Sequence, residues 1–241
     1  MSMDYEYVPD IFELRDRIET IKKKDIRMCI KYLYLISGRA SEAVGKSYSN
    51  DVGTIARGPM ARSLSFQDYE GQEAAVFSVK TAKRKGRERI CALPLAREYE
   101  PWAKEVSVYF GEFDSRELVF PFTRQRLSRY SKECWKDLWY KIEPYNIVNL
   151  DSEGKPIIGE NGKRQTTPVD VHMRTLTVHA VRHFRASDLT GFYGFDGKDL
   201  SAFCGWLLST AMGISSSVDR YVQLNWRSYF PKLLKKRYSI D

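Results

Sequence analysis

The stretch Val178–Leu189 reads VHAVRHFRASDL. Its apolar residues Ala180, Val181, Phe184 and Leu189 predict an amphipathic helix seated on the body of a domain. His179, Arg182 and His183 then fall at i, i+3 and i+4 and share the other face. An imidazole and a guanidinium turned to one point can both donate to an oxyanion, so the helix is expected to form the floor of a phosphate-binding catalytic site. Two readings compete with it. The i, i+4 histidine pair is also the spacing of half a metal site, and both rings can be core histidines beside a solvated arginine.

Working outward, the composition sets the bounds. The chain has 241 residues, 43% hydrophobic and 29% charged, which describes a folded protein with length enough for a sizeable core. A net charge of +8 favours a polyanionic partner, nucleic acid before membrane. Cys29, Cys91, Cys134 and Cys204 are far apart and form no C-x-x-C pair, which argues against a disulfide framework or a zinc module. The N-terminal stretch is acidic and lacks the apolar core of a secretory signal, and no apolar run reaches membrane-spanning length. An intracellular, reducing compartment is expected.

Periodicity predicts helices at Asp10–Glu19 and Asp25–Ile36, the second stopped by Ser37-Gly38. Arg39 follows in a tight turn ahead of a new helix capped near Ser41. From Ser63 the pattern changes to strands, at Ser63–Tyr69, Glu73–Thr81 and Arg89–Leu95, giving a three-stranded antiparallel sheet turned at Glu70-Gly71. Its second hairpin carries Lys80, Lys83, Arg84, Lys85, Arg87 and Arg89 against Glu88 alone, a density suited to tracking a phosphate backbone. Further helices are expected at Glu98–Phe110, Arg124–Tyr140 and Lys198–Leu208, with a hairpin or loop at Ile147–Pro168. The fold class is therefore α+β, mostly helical with a small antiparallel sheet.

These pieces, in this order, resemble the catalytic domain of the tyrosine recombinases, the phage-integrase family. Ser37-Gly38-Arg39-Ala40-Ser41-Glu42 resembles the family's first arginine box, T-G-x-R-x-S-E. Val79-Lys80-Thr81, followed by the basic run and Leu93-Pro94-Leu95, resembles its lysine hairpin. His179-Ala180-Val181-Arg182 resembles the H-x-x-R box, and Arg220-Tyr221 lies where the family keeps its nucleophile. Gly205-Trp206 fits the family's His/Trp box chemically, but it stands farther from the tyrosine than usual. Met212 occupies the usual spacing and cannot donate to phosphate.

The resemblance implies one catalytic domain over residues 1–241, with the family's N-terminal core-binding domain absent or removed, and a tail at 222–241 that docks on a neighbouring protomer through Leu233-Leu234. Read from its residues alone, the same tail is equally a frayed amphipathic end. It implies double-stranded DNA as substrate, strand breakage and rejoining without metal or cofactor, and a tetramer on paired sites, as in the enzymes of viruses and mobile elements. Arg39 and Arg182 would clamp the nonbridging oxygens, His179 would assist proton transfer, Lys80 would protonate the leaving 5′ oxygen, Trp206 would donate to phosphate, and Tyr221 would form the 3′-phosphotyrosyl bond. Lys83, Arg84, Lys85, Arg87 and Arg89 would bind DNA, while His183 stays open between a supporting and a structural role. Tyr221 is one of fifteen tyrosines, and Tyr229 and Tyr238 remain alternatives. Other activities open on the same residues are a DNA-relaxing enzyme like the type IB topoisomerases and an inactive DNA-binding derivative.

Overall fold

In the computed structural model, residues 11–44, 58–81, 88–137, 139–142, 145–169, 172–206 and 225–238 are described. The fold is mixed helix and sheet, and it divides into two compact units. The larger holds the described residues of Asp10–Cys134 and Thr177–Asp241, and the smaller those of Trp135–Leu176.

The larger unit is built on helix α2, Lys24–Leu35, whose residues Ile26 and Met28–Leu35 are all buried. A helix apolar on every side belongs in the middle of a core, and α2 packs against α1 (Ile11–Glu19), α4 (Pro101–Phe110) and α6 (Val178–Gly191). The exception in this run is Lys31. Its fully buried amine is held at 2.6 Å by both Glu19 and Glu105 and lies 5.5 Å from the Trp102 ring centroid. Tyr32 packs among Phe77, Phe110 and Phe120, which fastens α2 to the sheet.

α2 ends where the sequence places its stop, but Ser37 rather than Gly38 takes the left-handed conformation, with φ 47°. Gly38 is needed for space, because a Cβ there would sit 2.7 Å from the Ile36 side chain. The short helix α3, Ala40–Ala43, follows at once.

Strands β1 (Leu64–Tyr69), β2 (Gln72–Lys80) and β3 (Glu88–Pro94) form the expected antiparallel sheet in the order β1-β2-β3. Glu70 and Gly71 both have positive φ, 50° and 81°, which is what a two-residue hairpin of right-handed twist requires. In the second hairpin Val79 faces Arg89 and Lys80 faces Glu88. Helix α7, Gly197–Cys204, packs on β3, starts at an Asp196 cap and stops at Gly205 with φ 67°.

Helix α5 runs only over Arg124–Cys134, so the helix expected to Tyr140 is too long. Trp139–Ile142 is strand β4 instead, paired antiparallel with β7, His172–Thr175. Aromatic and β-branched residues favour a strand once a partner is supplied, and that partner is some thirty residues downstream, beyond the reach of local periodicity. Inside this pair, β5 (Tyr145–Val148) pairs with β6 (Thr166–Val169). Gly154 and Gly162 lie at turns of this arm, with φ 78° and 70°. The smaller unit is thus a nested hairpin arm.

The tail packs on its own chain. Tyr229, Phe230 and Leu233 are buried, and helix α8, Phe230–Leu233, lies on β3. Arg237 pairs with Asp188, and its backbone N–H donates to the Glu98 carbonyl. Leu233 is therefore engaged in this fold, while Leu234 is half-buried; residues 207–224 and 239–241 lie outside the described residues.

Candidate active site

Glu42 is the node of the site. Arg39 is the N-cap of α3, and Glu42, three residues on, reaches back to accept from the Arg39 backbone N–H at 3.0 Å, the return half of a capping box. Its side chain is fully buried. It pairs with the Arg39 guanidinium at 3.1 Å, with Arg89 from β3 at 3.3 Å and with Arg182 from α6 at 3.9 Å. One carboxylate thus gathers three guanidiniums from three distant parts of the sequence. Burying a charge demands such partners, and a planar fork suits the task.

Arg182 is 3% exposed. It donates to the Ser37 carbonyl at 2.6 Å and to the Cys204 carbonyl at 3.2 Å, the ends of α2 and α7. Its guanidinium lies 5.6 Å from the Trp206 ring centroid, within cation–π range, so Trp206 stands beside the arginine. Burial, with Arg39 and Arg89 close by, lowers the Arg182 guanidinium to about 10, against the opposing pull of Cys204 and Glu42. It is still charged at neutral pH.

His179 and His183 share one face of α6, their ring centroids 4.9 Å apart and edge to face. His179 is exposed and His183 half-buried. Burial, then the Arg182 charge, holds His183 below the usual imidazole value. The unfolded chain therefore takes up the proton more readily, so this group leaves stability intact above about pH 6.5 and lowers it as the pH falls below that. His183→Asn is expected to make the acid-side loss shallower in denaturation series from pH 7 to 5.

Lys80, at the exposed end of β2, lines a cavity of about 210 Å3 together with Glu42, Tyr32, Arg62, Ser78 and Glu88. The structure therefore gathers Arg39, Arg182 and Trp206 directly around Glu42 and its partners. Lys80 lines the same cavity as Glu42, and His179 packs edge to face on His183, the residue next to Arg182 on α6. Tyr221 and the hairpin-tip residues Lys83, Arg84, Lys85 and Arg87 lie outside the described residues.

No family model, curated protein or solved structure matches this chain.

Arg89 corrects the sequence reading. It is 6% exposed and turned inward, so its side chain does not face DNA. Its Nη2 donates to the Ile36 carbonyl at 2.8 Å and its Nη1 to the Phe203 carbonyl. Burial opposes its charge, but Cys91 and Glu42 more than offset that and raise it above the ordinary arginine value. A Cβ at Gly205 would meet the Arg89 Cδ at 2.6 Å. With positive φ as well, Gly205→Ala is expected to lower stability by about 2 kcal/mol, read as a drop of several degrees in Tm.

Arg185 is fully buried and pairs with Glu100 at 2.7 Å and Asp188 at 3.3 Å, so it braces the core outside this site. Tyr229, an alternative nucleophile, is also core: its hydroxyl donates to the Ile90 carbonyl and accepts from the Ala92 N–H. Tyr238 lies under Arg15, 4.6 Å from ring centroid to guanidinium, beside Phe12. Among the described residues no group of three or more His, Cys, Asp or Glu is placed to hold a metal ion.

Proposed function

We propose that the chain is a tyrosine-type DNA strand-breaking and rejoining enzyme, a site-specific recombinase or integrase. The observation that carries this reading is the convergence of Arg39 and Arg182, from opposite ends of the sequence, on the Glu42 carboxylate. A guanidinium has five N–H donors. Carbonyls take one on each terminal nitrogen of Arg182, so the same planar fork has donors left for a nonbridging phosphate oxygen. Preorganised cations that need no rearrangement are the largest source of stabilisation for a pentacoordinate phosphorus.

In the proposed reaction the Tyr221 phenol oxygen bonds to phosphorus, and its proton passes to His179 or to water. The bond from phosphorus to the 5′ oxygen breaks, and the Lys80 ammonium gives that oxygen a proton. The 3′-phosphotyrosyl ester keeps the bond energy for rejoining by the reverse path. Trp206 flanks Arg182 and donates its indole N–H to phosphate. The basic hairpin, without Arg89, tracks the duplex, and a multimer on paired sites exchanges strands.

The test is covalent trapping. The full chain is incubated with nicked suicide duplexes of randomised sequence, and the modified residue is mapped by peptide analysis. An adduct at Tyr221 is expected; no adduct on any duplex, or one mapped elsewhere, overturns the assignment. The tail packed on its own chain favours one second reading, a monomeric enzyme like the type IB topoisomerases. Relaxation of supercoiled plasmid without strand exchange selects it.

A further inference from the structure

Arg89 and Arg182 are twins in their bonding. Arg182 donates to the carbonyls of Ser37 and Cys204, and Arg89 donates to those of the preceding residues, Ile36 and Phe203. Both pair with Glu42. The two guanidiniums thus take successive carbonyls at the ends of α2 and α7, and one carboxylate lies between them. Yet they come from different places: Arg182 from α6, Arg89 from the hairpin that carries Lys80. In the ladder Arg89 sits opposite Val79, next to Lys80, and Glu88 sits opposite Lys80 itself. Gly205 is closed down on the Arg89 stem, with no room for a methyl group.

We propose that Arg89 is a positioning residue that locks the base of the Lys80 hairpin to the Arg182 clamp, so that the amine meets the leaving oxygen. This rests on the strand-breaking reading above. Arg89 touches no substrate. It acts by holding the register between the proton donor and the phosphate clamp, a task for a rigid fork that bonds α2, α3 and α7 at once. A proton donor displaced by an ångström loses most of its effect.

The test separates this role from simple folding. The duplex recovered by covalent trapping is made in two forms, one with the natural oxygen at the scissile 5′ position and one with sulfur there. The sulfur departs as a thiolate and needs no proton, so protonation by Lys80 no longer matters. With the full chain, Arg89→Met is expected to slow adduct formation about 100-fold on the oxygen duplex and to stay within about threefold of the parent on the sulfur duplex. Gly205→Ala, which presses on the Arg89 stem without removing it, is expected to show the same sulfur rescue on a smaller loss. It serves as the readout should Arg89→Met not fold. Equal losses on both duplexes in a folded variant, or no loss on oxygen, overturn the positioning role. An unmodified chain that forms no adduct on either duplex instead overturns the strand-breaking reading itself.

Discussion

Arg182→Lys is expected to slow covalent adduct formation by about 10²–10³-fold, the cost of removing one well-placed donor to a developing oxyanion. The guanidinium spans the Ser37 and Cys204 carbonyls, and in the proposed reaction its remaining donors would serve the phosphate. A lysine amine is a point donor on a flexible stem and cannot do all three. Single-turnover rates on the trapping duplex measure the loss. It should be the same with oxygen or sulfur at the leaving position, because a clamp on nonbridging oxygens does not act through the leaving group. Sulfur rescue of Arg182→Lys would place this arginine with the proton donor rather than the clamp. A rate within about threefold of the parent would remove it from the reaction altogether.

Glu42→Ala is expected to lower folding stability by about 3–5 kcal/mol, because it leaves buried cations without their shared counter-charge. Arg89 and Arg182 are 6% and 3% exposed, so water cannot replace the carboxylate. For a chain of this size the loss corresponds to a fall in Tm on the order of 10 °C. Glu42→Gln keeps the shape and one acceptor oxygen and is expected to fall between. Chemical denaturation of the three proteins checks the order. A Glu42→Ala loss under about 1 kcal/mol would mean that their backbone carbonyls alone suffice to hold the Arg89 and Arg182 guanidiniums.

Much of this arrangement is legible in the sequence where the determinants are local. The apolar run of α2, the Glu70-Gly71 turn and the alternation of β2 place the core and the sheet within a residue or two of where they lie. The His179 helix is read correctly for the same reason, since its polar face recurs at helical spacing. Glu42 is different. Its spacing from Arg39 announces a helix cap, but its other partners stand at 89 and 182, and nothing local links them.

Arg89 is a closer miss. It sits in a run of basic residues, which suggests an outward side chain. The strand register carried the opposite signal: Arg89 faces Val79, an inward position, so the pleat turns it inward as well. Trp139–Ile142 misleads in another way, because aromatic residues at helical spacing continue α5 on paper while the ladder to His172–Thr175 decides the outcome.

The nested arm has a consequence for how this protein can change. Trp139 and Thr175 are direct ladder partners, so the two ends of the insertion meet side by side. A segment whose entrance and exit coincide works as a cassette: it can be lengthened, trimmed or exchanged for a two-residue reverse turn without rethreading the chain on either side. Variation in length among descendants of this sequence should therefore collect there.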